Sequence, residues 1–137
     1  MIRASWCVLA LASQSCGSEK RARGEANEVL ERIARLDRLD ASTPVDAQRA
    51  AIATLATAPL TDPELEGLRS VCLKAYQGLF DSEVIQGEVR KALDGATPEQ
   101  VPALKAKLEQ AAATRVSAEA AHGTCQKLRR EATVRYR

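Results

Sequence analysis

Aromatic side chains are scarce in this sequence: one Trp, one Phe and two Tyr among 137 residues. With Trp6 set aside in the N-terminal stretch, only Tyr76, Phe80 and Tyr136 remain. That is too few for the stacking platforms on which sugars or single-stranded bases usually rest. Histidine is limited to His122, and no pair of cysteines has CxxC spacing. The seven glycines are scattered, which leaves no phosphate loop or dinucleotide fingerprint. Charge of one sign is lacking too, since the formal net charge is +2. A near-balanced chain of this kind is not an obvious nucleic-acid binder. What is abundant is alanine, leucine, arginine and glutamate, which favour helix.

The first 16 residues, MIRASWCVLALASQSC, decide the compartment in which the rest is to be explained. Arg3 precedes an apolar core, Trp6 to Ala12, and small polar residues then lead to Cys16. This layout is that of a secretory signal and is too short to span a bilayer as a helix. Its ending resembles the signal of bacterial lipoproteins, in which a small residue, here Ser15, precedes a cysteine that is lipidated and becomes the mature N-terminus. Gln14 and Ser13 depart from that pattern. The resemblance implies lipidation at Cys16, a palmitate-type anchor, and a cell-envelope location facing the periplasm. Gly17, in place of the aspartate that favours inner-membrane retention in that class, makes the outer membrane the default. A rival cut after Ala12, at Ala10-Leu11-Ala12, releases a soluble secreted or periplasmic protein instead.

The expected organisation is a signal over 1–16, a polar tether over 17–24, and one helical domain over 25–137. About 120 residues after processing suffice for one domain with a modest core. Lys20, Arg21 and Arg23 in the tether would lie near lipid headgroups, or form a solvated start to the first helix.

Apolar residues recur at helical spacing from Glu25 to about Asp40 (Ala26, Val29, Leu30, Ile33, Leu36, Leu39), which predicts a first helix. Thr43 as N-cap, Pro44 at the first helical position and Asp46 in a capping-box arrangement predict a second, to about Ala58. Asp62 and Pro63 open a third and long one that runs to about Asp94. Its stripe includes Leu65, Leu68, Cys72, Ala75, Leu79, Val89 and Leu93, and Gly78 and Gly87 permit close helix contact or a bend. Asp94 to Pro98 stops it, and the fourth begins near Pro102, because in a helix started at Pro98 a proline in the fifth position would clash with an earlier carbonyl. The predicted fold is all-α, a four-helix bundle with a long C-terminal antiparallel hairpin.

Cys72 lies 22 residues before Asp94, and Cys125 lies 23 residues after Pro102, so an antiparallel hairpin puts them at the same level. Both sit on apolar stripes. In an oxidising compartment a Cys72–Cys125 disulfide follows. In a cytosolic reading they would be buried thiols. His122, one turn before Cys125, suggests a metal or Cys–His nucleophile site only if both cysteines are reduced. Acids such as Glu64 with Glu66, or Asp81 with Glu83, sit at a helix start or on polar faces, where charge is favoured without catalysis.

From 127 to 137, Lys127, Arg129, Arg130, Arg135 and Arg137 stand against Glu131 alone, whereas 24–126 carries 11 basic and 16 acidic residues. These bases complement the last helix's dipole or contact an anionic surface. The expectation is a noncatalytic envelope adaptor without cofactor, metal, nucleic acid or small-molecule substrate. It would dock an unidentified envelope protein near Leu79, Phe80 and Val84 or through the basic tail. The alternatives are a periplasmic chaperone-like client binder, a small hydrolase or metal protein using His122, and a cytosolic coiled-coil adaptor.

Overall fold

A computed structural model describes residues 9–137, with side chains from residue 16 onward. The early signal residues Arg3, Trp6 and Cys7 lie outside the described residues. Four helices follow in order: α1 (Leu9–Asp37), α2 (Val45–Ala56), α3 (Pro63–Leu93) and α4 (Val101–Arg135). No strand occurs among the described residues.

α3 begins where the sequence places it. The Asp62 carboxylate accepts the Glu64 and Leu65 amides at 2.9 and 3.4 Å, satisfying two of the helix's free donors, with Pro63 next to the cap. α4 likewise starts with Pro102 in its first turn, where the missing amide hydrogen has no partner to lose. α2 starts differently from expectation. The Thr43 hydroxyl accepts the Asp40 amide at 3.2 Å instead of capping α2, and the Asp40 carboxylate gathers the Ser42 amide and hydroxyl. The N-cap falls to Pro44 with no side-chain bond, and Gln48 closes the turn by donating to the Thr43 carbonyl at 2.8 Å.

The helices run up, down, up, down. Glu25 of α1 meets Thr61 and Asp62 before α3, and Asp37 of α1 meets Tyr76 within α3, so α1 is parallel to α3. Arg32 of α1 donates to the Thr54 carbonyl, and Arg69 of α3 donates to the Ala58 carbonyl, which ties the α2 segment between them. The core collects Ala26, Val29 and Ile33 from α1, Ile52 and Leu55 from α2, and Leu65, Leu68 and Phe80 from α3. At roughly 1.5 to 3 kcal/mol for each large side chain fully buried, this cluster holds α1 and α2 to the hairpin.

α3 and α4 pack along their lengths as an antiparallel hairpin. Cys72 and Cys125, both fully buried, are at disulfide-bond distance, with S–S 2.07 Å and Cα–Cα 4.8 Å. Six residues further along α3, Gly78 faces Ala118. A Cβ at Gly78 would stand 2.7 Å from the Ala118 Cβ, so the close approach depends on glycine. Gly87 has open space around its Cβ position and plays no such part.

Two expectations are decided by the fold. Residues 17–24 belong to α1, so that of the two readings offered for them, tether or start of the first helix, the helical one holds. Their stretch Ser18 to Arg23 is rich in helix formers, and eight residues in a helix span about 12 Å. Phe80 is not an exposed seam. It is 7% exposed, in the core cluster, with the Arg49 guanidinium 5.8 Å above its ring and Val84 packed beside that cluster. α2 covers this level of the hairpin. Beyond Val84 the hairpin continues as a two-helix arm whose own seam buries Val89 and Ala111.

Candidate functional site at the open end of the hairpin

At the end opposite the 94–100 turn, three helices meet through two carboxylates. Glu25 of α1 accepts the Thr61 hydroxyl at 2.7 Å and the Thr61 and Asp62 amides at 2.9 and 3.2 Å. Asp62, while capping α3, accepts the Tyr136 hydroxyl from the end of α4 at 2.8 Å. Arg135 of α4 pairs with Glu64 of α3. The Thr61 hydroxyl bond, followed by the Thr61 amide bond, holds the Glu25 carboxyl below its ordinary value of 4.5. Burial, and then the bond to Asp62, pushes the Tyr136 phenol up.

A lowered carboxylate pKa contributes stability that is fully present above 4.5 and is lost as pH falls through the lower folded value. Glu25→Gln removes the titrating group. Melting temperatures measured at pH 6 and pH 3 are expected to differ less in the variant than in the parent. An unchanged difference would mean that the Glu25 clasp does not contribute to acid sensitivity.

Cys16 is exposed on α1, nine residues before Glu25 and so beyond the bundle. Lys20, Arg21 and Arg23 are exposed on the same projecting stretch. Lys127, Arg130 and Arg137 are exposed toward the end of α4, which the antiparallel hairpin returns to this end. Arg129 and Arg135 stand apart from the other predicted surface bases. Arg129 pairs with Asp37 of α1, which also accepts the Tyr76 hydroxyl, and Arg135 pairs with Glu64. Sequence separation concealed both pairings, because their partners lie 92 and 71 positions away.

The same end of the molecule also carries a groove that the charge pattern of the tail does not announce. Between the first turns of α3 and the last turns of α4 lies a solvent-open cavity of about 600 Å³, floored by Leu65, Leu68, Leu128 and Tyr136. Leu128, Ala132 and Tyr136 recur at four-residue spacing, a signal that the overlying charge bias of the tail obscured.

His122 lies in a second cleft, of about 340 Å³, between the α1–α2 corner and the hairpin. Its ring meets Tyr76 edge-on at 5.6 Å, and its Nε2 is 3.2 Å from the Gln126 side-chain amide. Burial, and then the bond to Asp37, pushes the Tyr76 phenol well above its ordinary range. Cys72 and Cys125 are joined to each other, which removes the thiols that a Cys–His nucleophile or metal site would need. Among the described residues no group of His, Cys, Asp and Glu is placed to hold a metal ion. Nor is any helix among them long and apolar enough to cross a membrane.

No protein family, curated protein or solved structure matches this chain.

Proposed function

We propose that this chain is an exported envelope protein, anchored through lipid on Cys16, which serves as a noncatalytic adaptor. The observation that carries the reading is the polarity of the fold. Cys16 and the six bases Lys20, Arg21, Arg23, Lys127, Arg130 and Arg137 lie toward one end, and the uncovered arm points the other way. With Glu25 level with Asp62, α1 and α3 place the arm's tip about 60 Å from Cys16, at 1.5 Å per residue. The basic end then sits against the bilayer, where each Lys or Arg near an anionic surface adds about 1 kcal/mol of attraction. The arm stands off from the membrane and presents its flanks to an envelope partner. By its Gly17, the outer membrane is the default destination.

The exposed large apolar residues Val45, Leu93, Val101, Val116 and Val134 are distributed over α2, α3 and α4. Among the described side chains this spread over three helices favours an adaptor over a chaperone, which needs one contiguous apolar surface.

Substitution of the lipidated atom tests the anchor. Cys16→Ser, expressed with its own N-terminus, is expected to move from the membrane to the soluble fraction of the envelope, because the bases alone do not replace an acyl anchor. A variant that remains wholly with the membrane, or a parent that is soluble, would overturn the reading.

A further inference from the structure

The fold sorts the bases at the end of α4 by direction. Arg129 and Arg135 flank the buried side of the helix and are held by Asp37 of α1 and Glu64 of α3. Lys127 and Arg130 point elsewhere. At 100° per residue they fall with Val134 inside an arc of about 60°, on the side of α4 opposite Leu128 and Ala132, which pack against the core. Arg137 follows directly after the helix and its cap. Lys127, Arg130 and Arg137 are exposed and make no ion pair or hydrogen bond in the structure. Val134 among them is 72% exposed, the most exposed large apolar side chain among the described residues. Toward the arm this side continues through Gly123 and Ala120, both exposed and uncharged. Glu131 stands at its edge, about 40° beyond Lys127.

We infer that the outer side of α4 is a membrane-contact face that binds an anionic lipid surface without the acyl anchor, with Val134 entering between the headgroups. The three bases are free, so contact with phosphates breaks no internal pair. An apolar side chain set among bases on one side of a helix is the pattern of interfacial helices, whose apolar part sinks below the headgroups while the charges stay among them. A fluid headgroup layer adapts to the spacing of the bases, whereas a rigid acidic partner has to match it.

The inference rests on the placement of this end at the bilayer proposed above, but not on lipid at Cys16. It adds a direction to that placement. The face looks away from the core, not along the helices, so contact tips the bundle toward α4 and the arm rises obliquely from the membrane. Without an acyl chain the contact is weak and reversible, and it reinforces an anchor without replacing one.

Co-sedimentation of the oxidised, unlipidated Cys16→Ser chain with lipid vesicles tests the face. On phosphatidylcholine containing about one-third phosphatidylglycerol, binding is expected at about 50 mM salt, with loss at about 0.5 M salt and none on phosphatidylcholine alone. Lys127→Gln and Arg130→Gln are each expected to weaken it about fivefold, and Glu131→Gln to strengthen it. Lys107→Gln removes an equally exposed base on the arm and is expected to change it less than about twofold. Val134→Ser, which alters no charge, is expected to weaken vesicle binding at least about threefold and to leave binding to soluble polyphosphate unchanged, because only a bilayer has an apolar layer to receive the side chain. Unchanged melting temperatures establish that the variants fold. No binding to the anionic vesicles, or an equal loss in Lys107→Gln, would overturn the inference. Vesicle binding indifferent to Val134→Ser would overturn it too, by marking a site for any polyanion. Because this test omits the acyl chain, its failure is distinct from failure of the anchor.

Discussion

Removing the Cys72–Cys125 bridge is expected to lower the stability of the chain by about 4 kcal/mol. The bridge closes a loop with a sequence separation of 53, and in the chain-entropy treatment a loop of that size restricts the unfolded ensemble by this amount at 25 °C. For a chain of 137 residues, the corresponding fall in melting temperature is on the order of 15 °C. Both sulfurs are fully buried, and Cys72 and Cys125 belong to the cluster that also holds Val29, Ile33 and Leu68. Reductant must therefore wait for α1 to move away or for the hairpin to open. Melting curves of the parent with and without strong reductant, and of a Cys72→Ala/Cys125→Ala variant, measure the effect. The variant exchanges two buried sulfurs for methyl groups, which adds a packing loss to the lost constraint. Equal melting temperatures in all three would mean that the bridge does not constrain the unfolded chain.

Two glycines of α3 should answer the same substitution with opposite signs. Gly78→Ala brings a new Cβ to 2.7 Å from the Ala118 Cβ. That atom is fixed directly to the α4 backbone and cannot swing aside, so the helices must separate. Forcing a methyl group into such a contact costs roughly 1 to 3 kcal/mol, which outweighs the roughly 1 kcal/mol that alanine gains over glycine in a helix. Gly87→Ala meets nothing within 4 Å and keeps the whole gain. Urea unfolding at neutral pH is expected to place Gly78→Ala below the parent and Gly87→Ala above it. Ala118→Gly, added to Gly78→Ala, removes the opposing methyl and should relieve the clash, with its own helix penalty. If both alanine variants are stabilised, α3 and α4 are not in close contact at Gly78.

Much of the hairpin was legible because its information is local. Asp62 and Pro63 mark the start of α3, Asp94 and Pro98 its end, and Pro102 the start of α4. Counting from these marks levelled Cys72 with Cys125, and both stripes pointed inward. The close packing at Gly78 was legible as an option, but nothing in the sequence separated it from Gly87. That distinction depends on which face of α4 carries Ala118 at that height. The capping of α2 misled for a local reason. Asp40 competes for the Ser42 and Thr43 groups in a turn of its own, and a spacing rule does not register the competitor.

The open end was harder to read. The Glu25 clasp joins residues 36 and 37 positions apart, and the Asp62–Tyr136 bond joins residues 74 apart. Neither follows from periodicity. The tail is basic as a sequence, but the fold divides it: Arg129 and Arg135 are consumed in pairs with α1 and α3, and Arg130 stays exposed. The polar segment 17–24 is compatible with either a tether or the start of a helix; it continues α1 and extends the projection of Cys16 from the bundle. The distance from Cys16 to the arm's tip, on which the adaptor reading relies, was therefore not accessible from composition.

The central claim is that this protein is processed and lipidated at Cys16. Intact mass spectrometry of the protein from its native host, extracted with detergent, tests it most directly. The account predicts a chain that begins at Cys16, heavier than the corresponding peptide by a diacyl or triacyl modification. An unmodified chain that retains Met1, or one that begins at Ser13 after cleavage at Ala12, would contradict it.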